Sequence, residues 1–415
     1  MNVFSPFTGT RYNTSKVKAS EVISPPYDVI SVEQRDAFYD KDEHNVIRLE
    51  LNRDADPYSS AKQFFEQWKA EEIVLQESQP SFYVYYQTFR TPEGIQVTRR
   101  GVLGLLNTSP YSAGDVLPHE QTLPKAKKDR FALLEATKTQ FSPIFGLIDD
   151  EAQIFDHTID SVTAMAPIVD VDEQLPSGER VRHTMWKLVD PPLVARLEKL
   201  IASKKIVIAD GHHRYETSVA FAEAHPELPG AGKIMIYLAN LRGDGTVILP
   251  THRVLYGLAT FNQYSFLAEL EKKFDVTIAS SREEAMMLLH KEGAVTSIQF
   301  PEAPQWIVVS DRVGASPNPT SLTRLAVYRL HEEILKPIAG LTQDQIDAKS
   351  NLLYPHTLSE LDEMISKQDY NAAFILKPVS ADEMMAVTSE GAFMPQKSTY
   401  FFPKLLSGLV FYEME

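Results

Sequence analysis

The stretch KKIVIADGHHRYE, residues 204–216, places two structural patterns next to each other. The four apolar residues before Asp210 are typical of a short buried strand, and Asp210 and Gly211 end it. Apolar side chains then recur at i, i+4 and i+7, the spacing of one helical face, at Tyr215, Val219 and Ala222. The stretch therefore predicts a strand, a tight turn and the N-terminus of a helix.

The predicted turn carries several groups that suit an anion. A helix N-terminus offers backbone N–H groups and the positive end of the helix dipole. Gly211 lets the backbone approach a ligand closely, and Arg214 adds a planar cation that can bind a phosphate through two hydrogen bonds. His212, His213 and Asp210 complete the set. A structural turn is the alternative interpretation. A zinc site is disfavoured, because adjacent histidines point in different directions on a helix and the chain has no cysteine.

The composition is that of an ordinary globular protein and excludes several classes. The chain has 415 residues, 43% of them hydrophobic and 10% aromatic, which suffices for two or three domains. The absence of cysteine excludes disulfides and thiolate sites and fits a cytoplasmic protein. We expect neither a signal peptide nor a membrane span, because no stretch has the required pattern. A net charge of −15 argues against a broad nucleic-acid surface.

A second stretch of interest is LPHEQTLPKAKKDR, residues 117–130, which we expect to be a loop because it contains two prolines. It carries an acid and a hydroxyl, Glu120 and Thr122. Four cations follow: Lys125, Lys127, Lys128 and Arg130. Nearby cations would keep the carboxyl group ionised and able to accept a proton. The alternative is a solvated charged loop that leads into a helix with Asp129 as its N-cap.

Other segments add candidate ligands. The C-terminal segment holds Lys397, Ser398 and Thr399 together, with Lys404 further on. Lys-Ser-Thr resembles the Lys-Ser or Lys-Thr of phosphate-binding loops, but no GxxxxGK precedes it. TVILPTHRVL (residues 246–255) reads as a strand beside the turn and would bring Arg253 near it, and a surface arginine is the competing interpretation.

The remaining patterns predict an α+β fold with mixed sheets. Two β-branched and aromatic runs, residues 81–90 and 95–106, are joined by TPEG and predict a hairpin. The charged segment 170–183 contains a proline and a glycine and predicts a linker. From about residue 260, amphipathic helices and short strands indicate a further α+β segment. The predicted parts are an N-terminal α+β part at 1–170, the unit around the turn at 183–258, an α+β insertion or domain at 259–390, and a C-terminal segment at 391–415 that returns to the site.

Motifs along most of the chain resemble one family of bacterial and archaeal proteins, catalogued as domain of unknown function 1015. They occur in this order: PFTGTRYN (Pro6–Asn13), SPPYDVIS (Ser24–Ser31), NVIRLE (Asn45–Glu50), HEQT (His119–Thr122), KDRFALL (Lys128–Leu134), SPIFGL (Ser142–Leu147), ADGHHRYET (Ala209–Thr217) and MPQKSTYFFPKL (Met394–Leu405). DGHHR also resembles the nucleotide-binding turn of the ParB/sulfiredoxin superfamily, and in particular that of its free L-serine kinases. The fold class implied is α+β with a ParB/sulfiredoxin-like nucleotide-binding turn.

The resemblance to the serine kinases implies a role for one residue, Glu120, as the catalytic base. His119 and Arg214 are further candidate catalytic residues. The candidates to bind nucleotide or phosphate are Asp210, Gly211, His212, His213, Arg214, Thr122, Lys125, Lys128, Arg130, Arg253, Lys397, Ser398, Thr399 and Lys404. The family resemblance implies two residues that line the substrate site, Arg11 and Asp28. Mg²⁺ is the expected cofactor with Asp210 as its candidate ligand, and ATP or ADP is the expected phosphoryl donor.

Three functions remain open at this point. The first is a phosphotransferase that acts on a free small hydroxyl compound, with L-serine as the leading acceptor. The second is a nucleotide-binding regulatory or scaffolding switch without transfer, and the third is a nucleotide hydrolase. The expected partners are a nucleotide and a small molecule, with neither nucleic acid nor membrane.

Overall fold

The computed structural model describes residues 3–120, 122, 124–175, 178–301, 303, 305–312, 320–367 and 369–414, with the backbone alone for residues 124–126. The chain divides into two compact units. The first unit comprises residues 1–118, 122–247 and 403–415, and the second comprises residues 119–121 and 248–402. The four-part division expected from the sequence stays a prediction.

The longest strands of the described residues, each of eight or more residues, lie in the first unit. In chain order the described strands are β1 (Phe4–Ser5), β2 (Thr10–Tyr12), β3 (Val74–Gln76), β4 (Phe82–Arg90), β5 (Gln96–Asn107), β6 (Val116–Leu117), β7 (Thr139–Gln140), β8 (Ile144–Ile148), β9 (Val169–Gln174), β10 (Arg180–Leu188), β11 (Ile206–Asp210), β12 (Lys233–Asn240), β13 (Val247–Leu249), β14 (Arg253–Leu255), β15 (Asp275–Ala279), β16 (Ala294–Gln299), β17 (Trp306–Ser310), β18 (Leu352–Leu353), β19 (Ala372–Ile375), β20 (Tyr400–Phe402) and β21 (Tyr412–Glu413).

The helices alternate with these strands. They are α1 (Ala19–Val22), α2 (Val32–Lys41), α3 (Ile47–Glu50), α4 (Pro57–Ala70), α5 (Pro124–Thr137), α6 (Ile154–Asp160), α7 (Pro191–Ala202), α8 (His212–Ala224), α9 (Gln263–Lys273), α10 (Arg282–Leu289), α11 (Ala326–Arg329), α12 (Gln343–Ala348), α13 (Leu358–Lys367) and α14 (Ala381–Ser389). A π-helical segment, Leu330–Leu335, continues α11. Within the described residues, no helix is both long and apolar enough to cross a membrane.

The first unit is built on one mixed sheet. Its described part has nine strands in the order β6-β11-β8-β12-β5-β4-β10-β9, with β1 paired to β5. The pairs β6–β11 and β8–β12 are parallel, and the neighbouring pairs are antiparallel. The predicted α+β class with mixed sheets is therefore confirmed.

Two sequence interpretations meet different outcomes in this sheet. The predicted hairpin is confirmed, because β4 and β5 pair in antiparallel register from Tyr83 to Arg90. The predicted linker at residues 170–183 is wrong, because β9 and β10 form a second hairpin there. Its charges belong to a strand: Asp170 is exposed on β9 and pairs with Arg182 of β10 at 2.7 Å. The alternation of valine and aspartate in VDVD was a period-two signal that the charge concealed.

The start of α5 differs from the expected loop and cap. The helix begins at Pro124, so the expected loop is half helix and Asp129 lies inside the helix instead of capping it. Proline is favoured at the first helical position, because its missing N–H would have no helical partner there. Asp129 instead accepts a hydrogen bond from the Tyr58 hydroxyl at 2.9 Å.

The core of the first unit places β11 and α8 on a rigid support. Buried side chains from β5, β8, β11 and β12 pack into one apolar cluster, which includes Ile144, Ile206, Ile208, Tyr215 and Ile236. Burial of apolar side chains at this density stabilises a fold by roughly 25 cal/mol per Å² removed from water. The turn between β11 and α8 is therefore anchored on both sides in this buried cluster.

The second unit has its own antiparallel sheet. In its described part the six strands run in the order β15-β17-β16-β19-β14-β18. A separate apolar cluster, including Val254, Leu289, Val308 and Ala373, packs between this sheet and helices such as α10. The predicted α+β character of the segment after residue 260 agrees with this architecture.

Candidate functional site

The turn at Asp210–Arg214 has the predicted strand-turn-helix geometry. Strand β11 ends at Asp210, and α8 begins at His212. Gly211 is the N-cap residue, with φ +94° and ψ 27°, and no side chain caps this helix end. In contrast, Ser31, Asp56 and Asp190 cap α2, α4 and α7 through their side chains. An end of this kind has its dipole uncompensated by a capping side chain, which suits an anionic ligand.

Gly211 is required here for two separate reasons. Its φ lies in the left-handed region, which L residues enter at a cost of about 1–2 kcal/mol. A Cβ at this position would also lie 2.7 Å from Ile144 Cγ2 and 3.1 Å from Arg214 Nη2. The turn is therefore closely packed against β8 as well as conformationally special.

Arg214 points back towards the sheet and is fixed there. Its Nη1 donates to the carbonyl of Pro143 at 2.6 Å and to Ser142 Oγ at 3.3 Å. Burial alone would lower the pKa of Arg214, but Tyr27 and Asp210 outweigh it and raise the pKa. The guanidinium is thus a permanent positive charge beside the turn.

A second arginine lies at the same phenol ring. The guanidinium carbon of Arg130 is 4.0 Å from the ring centre of Tyr27, and that of Arg214 is 5.9 Å away. Burial raises the pKa of Tyr27 to about 12, with the charge of Asp28 acting in the same direction and the two arginines opposing. Tyr27 therefore stays neutral and serves as an aromatic partner of both cations.

Glu50 joins the two arginines to the C-terminal segment. Its carboxylate accepts hydrogen bonds from Ser142 Oγ at 2.6 Å and Ser407 Oγ at 3.2 Å, and its carbonyl accepts one from Arg130 at 3.1 Å. Glu50, Ser142 and the two arginines line a cavity of about 40 Å³. A cavity of that size holds a few water molecules.

Sequence reasoning missed four members of this cluster: Tyr27, Glu50, Ser142 and Ser407. Three of them lie in segments already quoted as family motifs, namely SPPYDVIS, NVIRLE and SPIFGL. The motifs were the available signal, but nothing in their local pattern indicated that they meet beside one arginine.

Lys404 and Asp210, both predicted to bind nucleotide or phosphate, form an ion pair. Lys404 Nζ is 3.2 Å from Asp210 Oδ2. The backbone of this segment is held by a buried pair, because Gln87 donates to the Lys404 carbonyl at 2.8 Å and Arg99 donates to the carbonyl of Pro403. Arg99 also donates to Gln87 at 3.0 Å. The ammonium of Lys404 is therefore brought to the turn from 194 residues away by a rigid support.

The start of α5 and the residues just before it bring further predicted residues beside α8. Thr122 and Lys127 donate to Glu216 at 2.7 Å and 2.8 Å. Lys128 is exposed and lines a groove of about 580 Å³ together with Phe131 and Glu216. The side chain of Lys125 lies outside the described residues. Glu216, which sequence reasoning left out, is the acceptor that orders this set.

The two residues expected to line the substrate site have different surroundings. Arg11 donates to Glu77 at 2.7 Å, and Lys187 approaches the same carboxylate at 2.9 Å. Asp28 is exposed in a short 3-10 helix, Tyr27–Val29, and its charge acts on the pKa of Tyr27 and Arg214.

In the second unit, Glu120 is bound by a turn of backbone N–H groups. Its Oε2 accepts from Lys397 N–H at 3.3 Å, and its Oε1 accepts from Ser398 N–H at 3.0 Å and Thr399 N–H at 3.4 Å. The buried ring of His119 lies beside it, with Nε2 2.9 Å from Thr399 Oγ1. Successive N–H groups that converge on one anion form a nest, the arrangement that many phosphate sites use. We call residues 397–399 the amide nest.

Arg253 supports the amide nest from its carbonyl side. Its Nη2 donates to the carbonyls of Gln396 at 3.4 Å and Lys397 at 3.0 Å, and its Nε donates to His331 Nε2 at 3.1 Å. Arg253 is fully buried, so the competing interpretation of a surface arginine is wrong. Burial lowers its pKa to about 10, although Tyr354 opposes the shift.

The described residues contain no group of three or more His, Cys, Asp or Glu side chains that could hold a metal ion. Mg²⁺ is often held by only one or two carboxylates and by substrate phosphates. Among the described residues Asp210 belongs to no such group, and its role as a ligand of Mg²⁺ stays a prediction.

The chain is thus an α+β protein in which the turn at Gly211 and the amide nest are candidate anion sites. The chain belongs to the family described as "Protein of unknown function (DUF1015)", which matches residues 4–326. The search of curated proteins found no match.

Solved structures show similarity at low identity. A free serine kinase in complex with AMP is 12% identical, with 71% of this chain and 89% of that chain covered and a TM-score of 0.36. A conserved hypothetical protein from Pyrococcus furiosus is also 12% identical, with 71% and 93% covered and a TM-score of 0.36. SbnI with a C-terminal truncation, from Staphylococcus aureus, is 11% identical, with 74% and 85% covered and a TM-score of 0.36.

Proposed function

We propose that this protein is a nucleotide-dependent phosphotransferase that acts on a small hydroxyl compound, with L-serine as the first acceptor to test. The observation that carries the proposal is the turn at Gly211, where a helix end without a side-chain cap has a fixed guanidinium and the Lys404 ammonium beside it. Phosphoryl transfer depends chiefly on positioning and on electrostatic stabilisation, and this turn supplies both.

Each charged group has a proposed task. The N–H groups of the first turn of α8 bind phosphate oxygens, and His212 and His213 lie at the same helix end. Lys404 and Arg214 stabilise the charge that develops on the transferred group. Mg²⁺ that arrives with the nucleotide would neutralise part of the phosphate charge, with Asp210 as its candidate ligand.

Proton acceptance is assigned to Glu120 by the resemblance to the serine kinases. In the proposed reaction the acceptor hydroxyl loses its proton to this carboxylate, and its oxygen bonds to the transferred phosphorus. The bond from that phosphorus to the bridging oxygen of the nucleotide breaks, and the shortened nucleotide leaves with its electron pair.

Two other functions make different demands on the acceptor. A nucleotide hydrolase releases phosphate whether or not a small hydroxyl compound is present. A regulatory or scaffolding switch binds nucleotide and turns it over slowly or not at all. Dependence on the acceptor therefore separates the three functions.

The test is phosphorus NMR of the full chain with Mg²⁺ and either ATP or ADP, with and without L-serine. We expect a new phosphomonoester signal that requires serine, and its loss in Lys404→Met. Lys187→Met is the matched control, because Lys187 also pairs with a carboxylate, that of Glu77, at 2.9 Å. Phosphate release regardless of serine would establish the hydrolase instead. Nucleotide-dependent thermal stabilisation without turnover would favour the switch.

A further inference from the structure

The amide nest of the second unit already binds an anion that belongs to the chain itself. Three consecutive N–H groups, those of residues 397–399, converge on the carboxylate of Glu120 at 3.0–3.4 Å. The Thr399 hydroxyl is a further donor, 3.5 Å from Glu120 Oε1. A carboxylate and a phosphate present similar acceptor oxygens to such donors.

The shape of the amide nest is held by contacts other than Glu120. Arg253 donates to the carbonyls of Gln396 and Lys397, so it fixes the turn from the opposite side. Ser398 Oγ donates to the carbonyl of Pro395 at 2.5 Å within the turn. The N–H groups are therefore expected to keep their convergence when the carboxylate leaves.

Lys397 carries two signs of a ligand-binding role. Its φ is +58°, a left-handed conformation that is uncommon for residues other than glycine and that costs free energy. Its side chain is only partly buried, and within the described residues its ammonium has neither a hydrogen bond nor an ion pair. The carboxylate of Glu120 also interacts with the buried charge of Arg253, so the positive charge around the amide nest favours an anion of higher charge.

We propose that the amide nest is a binding site for a phosphate group, and that Glu120 occupies it as an internal competitor. A phosphate would take over the three N–H donors and pair with the Lys397 ammonium. Its binding would release the carboxylate of Glu120. The choice of phosphate as the ligand rests on the proposed function, and the release would supply that reaction with a carboxylate able to accept a proton.

Inorganic phosphate is the probe, titrated into the full chain without nucleotide or acceptor and followed by calorimetry. We expect Glu120→Gln to bind phosphate about tenfold more tightly than the wild type, because the competing charge is gone. Glu360→Gln should bind it as the wild type does, although Glu360 also accepts a backbone N–H, that of His356, at 2.7 Å. The gain in phosphate affinity should disappear when Lys397→Met is added to Glu120→Gln. It should persist when Lys404→Met is added instead. That difference would assign the tighter binding to the amide nest.

Equal affinity of Glu120→Gln and the wild type would overturn the proposal, as would a gain that survives Lys397→Met. If Glu120→Gln does not fold, wild-type protein labelled with ¹⁵N at lysine and threonine replaces it. Phosphate should then shift the amide signals of Lys397 and Thr399, and unmoved signals at saturating phosphate would overturn the proposal. Neither measurement involves turnover, so failure of the kinase proposal and failure of this one are distinguishable.

Discussion

The turn at Gly211 and the amide nest at Lys397 use the same backbone chemistry in opposite ways. At Gly211 a glycine supplies the left-handed conformation, and no side chain caps the helix that follows. At Lys397 a residue with a side chain takes a similar φ, and the carboxylate of Glu120 accepts the N–H groups. A helix end without a capping side chain can accept an anion directly. A nest that holds its own carboxylate must exchange one anion for another.

The difference also sets what each region needs from its surroundings. The first turn depends on close packing, because β8 leaves no space for a Cβ at Gly211. The second depends on charge, because Arg253 and Glu120 hold the two sides of one short segment. Steric changes should therefore damage the first turn most, and changes of protonation should damage the surroundings of the second.

The largest effect is expected from Gly211→Ala. The left-handed φ costs about 1–2 kcal/mol for a residue with a Cβ, and the contact at 2.7 Å with Ile144 adds overpacking. Overpacking of this kind typically costs about 1–3 kcal/mol. We expect the free energy of unfolding to fall by roughly 4 kcal/mol in urea denaturation.

Gly114→Ala is the matched control for that substitution. Gly114 has φ +76°, but a Cβ there would meet nothing within 4 Å. It should lose only the conformational part, about 1–2 kcal/mol. Equal losses in the two variants would show that close packing at the turn contributes nothing.

A smaller effect is expected when the pH falls. Burial lowers the pKa of His252 to about 4, with Arg253 and Arg282 acting in the same direction, against 6.5 in the unfolded chain. The unfolded state therefore binds this proton first, so stability is complete above pH 6.5 and declines as the pH falls towards 4. The free energy of unfolding should fall by about 3 kcal/mol over this range because of His252. The geometry agrees, because His252 Nδ1 accepts the N–H of Leu376 at 3.2 Å and must be unprotonated.

Fluorine NMR of protein labelled with 5-fluorotryptophan can locate this acid sensitivity. Trp306 lies in the second unit, whereas Trp68 and Trp186 lie in the first. As the pH falls from 6.5 to 4, the Trp306 signal should report unfolding at progressively lower urea concentrations. His252→Gln should reduce that dependence. Acid sensitivity confined to the first unit would refute the prediction.

The smallest effect is expected from Lys397→Gly. Glycine removes the left-handed strain of the folded state but raises the conformational entropy of the unfolded chain. The free energy of unfolding should therefore rise by only about 0.5 kcal/mol. Lys349 has φ +55° in the same unit, so Lys349→Gly should change thermal stability by a similar amount. Only Lys397→Gly should weaken phosphate binding. Weakening of both to the same degree would remove the special role of Lys397.

The sequence predicted local elements better than the places where they meet. Residues 204–216 carried both a strand pattern and a helix pattern, and the turn between them is as expected. The hairpin of β4 and β5 was visible for the same reason, because side-chain periodicity is a local property. The two prolines of residues 117–130 predict a loop with Asp129 as the cap of the next helix, but Pro124 begins that helix, because proline is favoured at the first helical position.

The sequence by itself determined the mixed α+β class, the glycine turn and the set of charged residues from which a site could be built. Tertiary structure alone decided which of those charges meet. The pairing of Asp210 with Lys404 spans 194 residues, and the contact of Glu120 with Thr399 spans 279. Such contacts follow from the packing of the sheets and of the buried side chains that support these segments. The periodicity of side chains along the chain does not specify them, because it describes neighbours in sequence only. On an extended chain the same charged residues would lie too far apart to bind one ligand together.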